Sequence, residues 1–333
     1  MVGQQWSDGL QRLAVWLSGV LGAYGDVEQV LAQVGQLTMS DTTAWRQVQT
    51  TGRQFRAQEA RRVAAANAAP DRHTILPGEP PSQERLAAVM DGAMIHIRAE
   101  GWKELKVGGI GHIECSTRQD RATGDEVEWA QMTTNTYVAH LGGPQAFGQQ
   151  LWAEAQARGW SRAADTAVIG DGAPWIWNLA SEHFYDSQQI VDWYHAKQHL
   201  WQAAHLLHGE GTPAAQQWVQ TFETVLFEGH AERVAAVLLT QAQHKRKSAA
   251  ELRQQAGYFR DNQRRMQYQE RREDNYPIGS GTAESGCKQF RARFTAAGMR
   301  WSRTGAENLL PVRAAILSQR FDTLWQARQL PLN

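Results

Sequence analysis

Residues 87–98 read AAVMDGAMIHIR, and the fold turns on them. Upstream, apolar residues recur every three to four positions. Here they crowd at a period nearer two, the spacing of a strand. Segments 103–113 and 127–140 share that character, so three consecutive strands in an antiparallel meander are predicted. Beyond them come a helix from Pro144 to Arg158, a buried strand DTAVIGD ending at Asp171 and a helix opened by Pro174. A short strand QQIVD ending at Asp192 and a helix through HAKQHLWQAAHLLH follow. A meander followed by alternating elements implies an α/β protein whose mixed sheet carries helices on both faces. From Pro213 to Arg272 the pattern is wholly helical. The punctuation NYPIGSGTAES (275–285) then leads into a last pair of helices, Thr282–Ala297 and Thr304–Gln326.

Towards the N-terminus, residues 1–68 read as helical, with 3.6-residue periodicity in LQRLAVWLSGVLGAY (10–24) and VEQVLAQVG (27–35). A short helix Val27–Val34, a turn Gly35–Thr38 and a second helix capped by Ser40 and running through SDTTAWRQVQTTG have a helix-turn-helix layout. Thr42, Thr43, Arg46 and Gln47 on the second helix are the candidates to face a DNA groove. Residues 69–82 hold four of the ten prolines and read as a linker, which sets 1–68 apart as a DNA-binding region.

The 333 residues are 42% hydrophobic and 20% charged, which excludes a disordered tail, a collagen and a disulfide scaffold. No apolar run approaches the roughly 18 residues of a membrane span, and Met1–Trp6 lack the basic start of a signal peptide. The chain is therefore expected to stay in the cytoplasm. Cys115 and Cys287 are too few and too far apart for a zinc quartet or a disulfide framework and are expected to be buried or bystander thiols.

Basic and acidic residues balance at 34 each, but not evenly along the chain. Between His244 and Arg303 there are fourteen basic residues and six acidic ones, a local net charge of +8 offset by −8 elsewhere. Charge concentrated in this way attracts a phosphate backbone even when the whole molecule is neutral. Among fourteen tryptophans, Trp16, Trp152, Trp218 and Trp325 have helical spacing and are expected in the core. Trp175, Trp177, Trp193 and Trp301 lie beside polar or Gly residues and are candidates to stack on bases or sugars.

Three carboxylates stand out against this background. Asp91 interrupts an apolar strand, where a charge is costly unless paired. Asp171 ends a strand, at the carboxyl edge where α/β proteins place ligands. Glu284 lies in the first turn of a helix entered through Gly279, Gly281 and Thr282. Brought together they would repel one another, and divalent metal relieves that repulsion. Hard oxygen ligands select Mg²⁺ or Mn²⁺, and two such ions clamp the attacking and leaving oxygens of a phosphodiester displacement. His195 and His199, spaced i, i+4 beside Asp192, form a second candidate metal face, although HAKQH lacks the Glu of a metalloprotease helix. Lys288, Arg291, Arg293 and Arg300 are placed to grip a DNA backbone, and Trp301 to brace an unstacked base.

The blocks VMDGAMIHI…WKELKVG, VIGDGAPWIWNLA, IVDWYHAKQHLW and YPIGSGTAESGCKQFRARFTAAGMRWS resemble, in that order, those of bacterial insertion-sequence transposases of the DDE type, of the ISKra kind. The resemblance runs from about Gln83 to the C-terminus. It implies a ribonuclease H-like core over 83–210 and 275–333, with 211–274 as a helical insertion ahead of the catalytic Glu. The implied triad is Asp91, Asp171 and Glu284, with an Asp-x-x-His signature at Asp192 and His195. The activity implied is two-metal DNA cleavage and strand transfer with Mg²⁺ or Mn²⁺ at a bacterial nucleoid. The implied partner is double-stranded DNA, both element ends and target, held by a homodimer or larger synaptic complex. Members of that family are longer at the N-terminus, so an abbreviated end-recognition region is expected here. Two rivals stand beside this reading: a glycoside hydrolase that uses two of the acids and a tryptophan groove, and a catalytically silent DNA-binding remnant.

Overall fold

The computed structural model describes residues 6–68, 82–119, 124, 126–295 and 299–328, so all of the expected linker except Ser82 lies outside the described residues. Three helices open the chain: α1 (Asp8–Val20), α2 (Tyr24–Gln33) and α3 (Asp41–Asn67). Strands β1 (Arg85–Ile97), β2 (Gly101–Gln119) and β3 (Glu126–Leu141) form the predicted meander. Then α4 (Pro144–Ala157), β4 (Asp165–Gly170), α5 (Pro174–His183), β5 (Gln188–Val191) and α6 (Trp193–His208) alternate. The helical stretch resolves into α7 (Pro213–Phe227), α8 (Ala231–His244), α9 (Ala249–Asn262) and α10 (Tyr268–Glu273). The chain closes with α11 (Gly281–Phe294), α12 (Arg303–Leu317) and α13 (Phe321–Ala327).

The five strands form one mixed sheet in the order β3-β2-β1-β4-β5. Its β1–β2 and β2–β3 pairs are antiparallel, whereas β1–β4 and β4–β5 are parallel. Alternation along β1 divides the core in two. Leu86, Ala88 and Met90 face one way, joining Val168, Phe147, Leu200, Val234 and Phe259 in a cluster that runs from α4 through α9. Helices α7–α10 thus extend the core of that face. Ala87 and Val89 face the other way with Ile169, Ile190 and Ala283. Further along the same face, Ala93, Ile95 and Val107 pack with Phe290, Leu309 and, from α3, Val48 and Phe55. Each large side chain buried in this way contributes roughly 1.5–3 kcal/mol relative to exposure.

Two expectations are corrected by this packing. The second N-terminal helix does not stop near Gly52 but continues to Asn67. Gly52 is where α3 crosses α12, so close that a Cβ there would lie 2.0 Å from the Asn308 carbonyl oxygen. Residues 6–68 are consequently packed into the body, and two buried arginines fix them there. Arg293 donates to the carbonyls of Ser18 at 2.6 Å and Gly22 at 3.0 Å, and Arg313 donates to that of Gly19 at 2.9 Å. Likewise, the single helix expected over 304–326 breaks between α12 and α13. There Ser318 accepts a bond from the Tyr137 amide at 2.8 Å and Gln319 takes the left-handed φ of +54°. No Gly or Pro marks the break. No described helix is long and apolar enough to cross a membrane.

Candidate metal centre

The register of the parallel strands places three aspartates side by side. Met90 pairs with Gly170, and Gly170 with Val191, so these residues share one level of the sheet. The next residue on each strand is an aspartate: Asp91, Asp171 and Asp192. Val89, Ile169 and Ile190 pack together on the face covered by Ala283 of α11, and side chains two positions on return to that face. Neighbouring strands lie about 4.8 Å apart, so the carboxylates form a row. From above, α11 brings Glu284 in its first turn and Cys287 one turn later, while the first turn of α6 brings His195.

Local bonds hold each member. Asp192, fully buried, caps α6 by accepting from the His195 amide at 3.0 Å, and its other oxygen accepts from the Ser280 amide at the entrance to α11. The Trp193 amide donates to the Ile278 carbonyl at 2.8 Å, joining the same two segments. Asp171 accepts from the Ala173 amide at 2.8 Å, just before Pro174 opens α5. Its carbonyl accepts from the Tyr258 hydroxyl at 3.0 Å. Gly172 between them has φ +102°, and a Cβ there would lie 2.6 Å from the Tyr258 ring. Both conformation and space therefore require glycine.

One ligand atom each from Asp192, His195 and Glu284 lie within 4.8 Å of one another, so these residues could hold a metal ion. The Nδ1 of His195 is buried, lies 3.6 Å from Asp192 and has no hydrogen-bond partner among the described residues. Two carboxylates and an imidazole at this spacing are a donor set that fits a divalent cation. Of the expected ligand set, Glu284 falls in this tight group together with Asp192 and His195. Asp91 and Asp171 stand beside it, and both act electrostatically on His195.

The charges in this row are strongly coupled. Burial, then the Asp171 charge, pushes the Asp91 carboxyl above its usual range, against hydrogen bonds from the Gly92 amide and the Cys287 thiol. For Asp192, burial acts upward, but hydrogen bonds from His195 and Ser280 leave it net below the usual range. Asp192 foremost, then Asp171 and Asp91, raise the His195 imidazole. Burial and Asp91 hold Cys287 as a neutral thiol. Cys287 is thus a buried thiol, as expected, and it lies beside Asp91. Tyr258 and Ser280 carried no sign in the sequence, since only tertiary packing brings them to the row. His199 points elsewhere, stacking on Tyr258 with ring centroids 3.6 Å apart and bonding Gln255 at 2.7 Å, so the His195/His199 metal face does not form.

The residues expected to contact DNA divide sharply. Thr42, Arg46, Lys288, Arg291 and Arg300 are exposed, while Thr43 and Gln47 are half-buried. Lys288 lies 3.3 Å from Glu284. Arg293 and Trp301 are corrected: both are buried, with the guanidinium 5.0 Å from the indole ring, whose N–H donates to the Phe294 carbonyl. Trp177 is buried in the core of the α4–α9 face, and Trp175 and Trp193 pack partly buried against it. Trp152 and Trp325 are core as expected, Trp218 packs partly buried against it, and Trp16 is 37% exposed.

The family model described as an uncharacterised protein family (UPF0236) matches residues 158–327, just over half of the chain. The matched stretch contains Asp171, Asp192, His195 and Glu284. No curated protein matches the sequence.

Proposed function

The chain belongs to the uncharacterised family UPF0236, a membership that names no chemistry, and from the site itself we propose a metal-dependent phosphodiester-cleaving enzyme acting on DNA, a transposase of the DDE type. The observation that carries this reading is the row Asp91, Asp171 and Asp192 at one level of three parallel strands, faced by Glu284 and His195. The strand order, with β1 between an antiparallel β2 and a parallel β4 and helices on both faces, supports a ribonuclease H-like core.

The site residues fit a hard divalent cation such as Mn²⁺ or Mg²⁺, which when bound supplies Lewis-acid activation of a phosphodiester and of water. Asp192 caps the first turn of α6, which carries His195, and holds the entrance to α11, so Glu284 meets the row from a set direction. Asp171 is held by the Ala173 amide through one oxygen, with Tyr258 bracing its carbonyl. Exposed Lys288, Arg291 and Arg300 on and beyond α11 supply the positive rim that a DNA backbone requires.

Nicking of supercoiled plasmid DNA tests the proposal. Cleavage is expected with Mn²⁺ or Mg²⁺ and not in EDTA, and Asp171→Asn and Asp192→Asn are each expected to lower it at least about a hundredfold while leaving DNA binding intact. Cleavage that both variants retain, or wild-type protein that binds DNA and never cuts it, sinks the proposal; the second result favours the silent remnant.

A further inference from the structure

Away from the aspartate row, two adjoining cavities of about 450 and 570 Å³ open between the N-terminal helices, the β1–β2 hairpin and the end of α11. They share Arg98, Met299 and Arg300. Among the described residues, no Asp or Glu lines either one, and neither Arg98 nor Arg300 has an ion-pair partner. Each cavity also presents an open indole: Trp45 is 40% exposed in the first and Trp102 is 63% exposed in the second, where His96 meets it edge-on at 5.6 Å.

Arg293 also lines the first cavity, is 2% exposed and adds fixed positive charge to it: its Nε and Nη1 donate to the carbonyls of Ser18 and Gly22, and its guanidinium pairs with the Tyr24 hydroxyl. Unopposed arginines flanked by open tryptophans are the combination that holds single strands, with phosphates on the cations and bases on the rings.

We infer that these cavities hold a single-stranded segment of DNA, with phosphates at Arg98 and Arg300 and flanking bases on Trp45 and Trp102. This deepens the reading given under Proposed function and rests on it for the identity of the polymer. Asp91 lies in β1 and Arg98 directly follows its end, seven residues or roughly 23 Å further on, and Glu284 lies on the helix that ends beside the groove. A strand leaving the aspartate row along β1 would reach the groove within a few nucleotides. The structure thereby provides for DNA that is unpaired close to the point of cleavage.

The test is binding, measured in EDTA so that cleavage plays no part. Fluorescence anisotropy would compare a labelled oligodeoxythymidine of about twelve nucleotides, within the roughly 4–16 nucleotide footprint of single-strand sites, with a duplex of equal length. The oligodeoxythymidine is expected to bind more tightly. Trp45→Ala and Trp102→Ala should each weaken it about tenfold or more, and Arg98→Ala or Arg300→Ala should weaken it and lower the salt dependence by about one ion. All four side chains are at the surface, and a circular dichroism melt confirms folding. Unchanged affinity in both tryptophan variants, or equal affinity for duplex, overturns the inference. Asp171→Asn separates the two readings: it should abolish cleavage and leave oligodeoxythymidine binding unchanged.

Discussion

Asp91 sits in an otherwise apolar strand, where burial and the neighbouring Asp171 carboxylate both work against its charge. Its folded pKa is raised, so its contribution to stability is fully present below the unfolded value near 3.8 and is lost as pH rises through the folded one. At neutral pH the ionised group is a net cost to the metal-free protein. Asp91→Asn is therefore expected to raise the metal-free melting temperature at pH 7 by roughly 2–4 °C, the scale of about 1 kcal/mol, and to leave it unchanged near pH 3. Calorimetry in EDTA at both pH values checks this, and a lower melting point at pH 7 contradicts it. Asp91 was legible in the sequence because a charge inside an apolar strand needs a reason. Spacing offered Asp192 and His195 only as a face shared with His199, and their place beside the other acids was not legible, because an aspartate before a helix usually means no more than a cap.

Among the elements, α4 is fastened to its neighbours by Glu154, which is fully buried. It takes Arg62 of α3 at 2.7 Å and Arg320, between α12 and α13, at 2.9 Å. Burial would raise this carboxyl, but the two arginines outweigh it and leave the pKa lowered. The stability it brings is thus present above the unfolded value near 4.5 and is lost as pH falls through the folded one. Glu154→Gln is expected to cost about 2–3 kcal/mol at pH 7 and less near pH 3, measurable by urea unfolding at each pH. A cost independent of pH would rule out this account. Element boundaries were legible where local chemistry sets them: Pro144 and Pro174 open helices, and Ser40 caps one. The passage of α3 through Gly52 and the break at Gln319 were not, because each answers to a distant partner, Asn308 in one case and Tyr137 in the other.

Considered as a whole, the molecule does not separate where its sequence suggests. The proline-rich segment before β1 reads as a boundary, yet Val15, Val48 and Phe55 share a core with Ile95, Phe290 and Leu309. A chain beginning at Ser82 would strip Arg293 and Arg313 of their carbonyl acceptors in and just after α1. It would also remove Val15, Val48 and Phe55 from the core they share with Ile95, Phe290 and Leu309, and losing one large core side chain costs about 2–5 kcal/mol, so the losses together approach the whole stability of a typical domain. The truncated chain is expected to be insoluble or to lack a cooperative melt, and a soluble, cooperatively unfolding product in gel filtration and near-ultraviolet circular dichroism would refute this. The order of strands and helices was legible because periodicity is local. The destination of each arginine was not, since an arginine on a helix reads equally as solvent-facing or as a clamp.

The aspartate row depends on pairing alone. If β1 slipped by one residue against β4, Asp91 would turn to the opposite surface and an apolar neighbour would take its place, while the backbone ladder stayed intact. A wrongly assembled copy thus loses the acidic row through the same error that misassembled it.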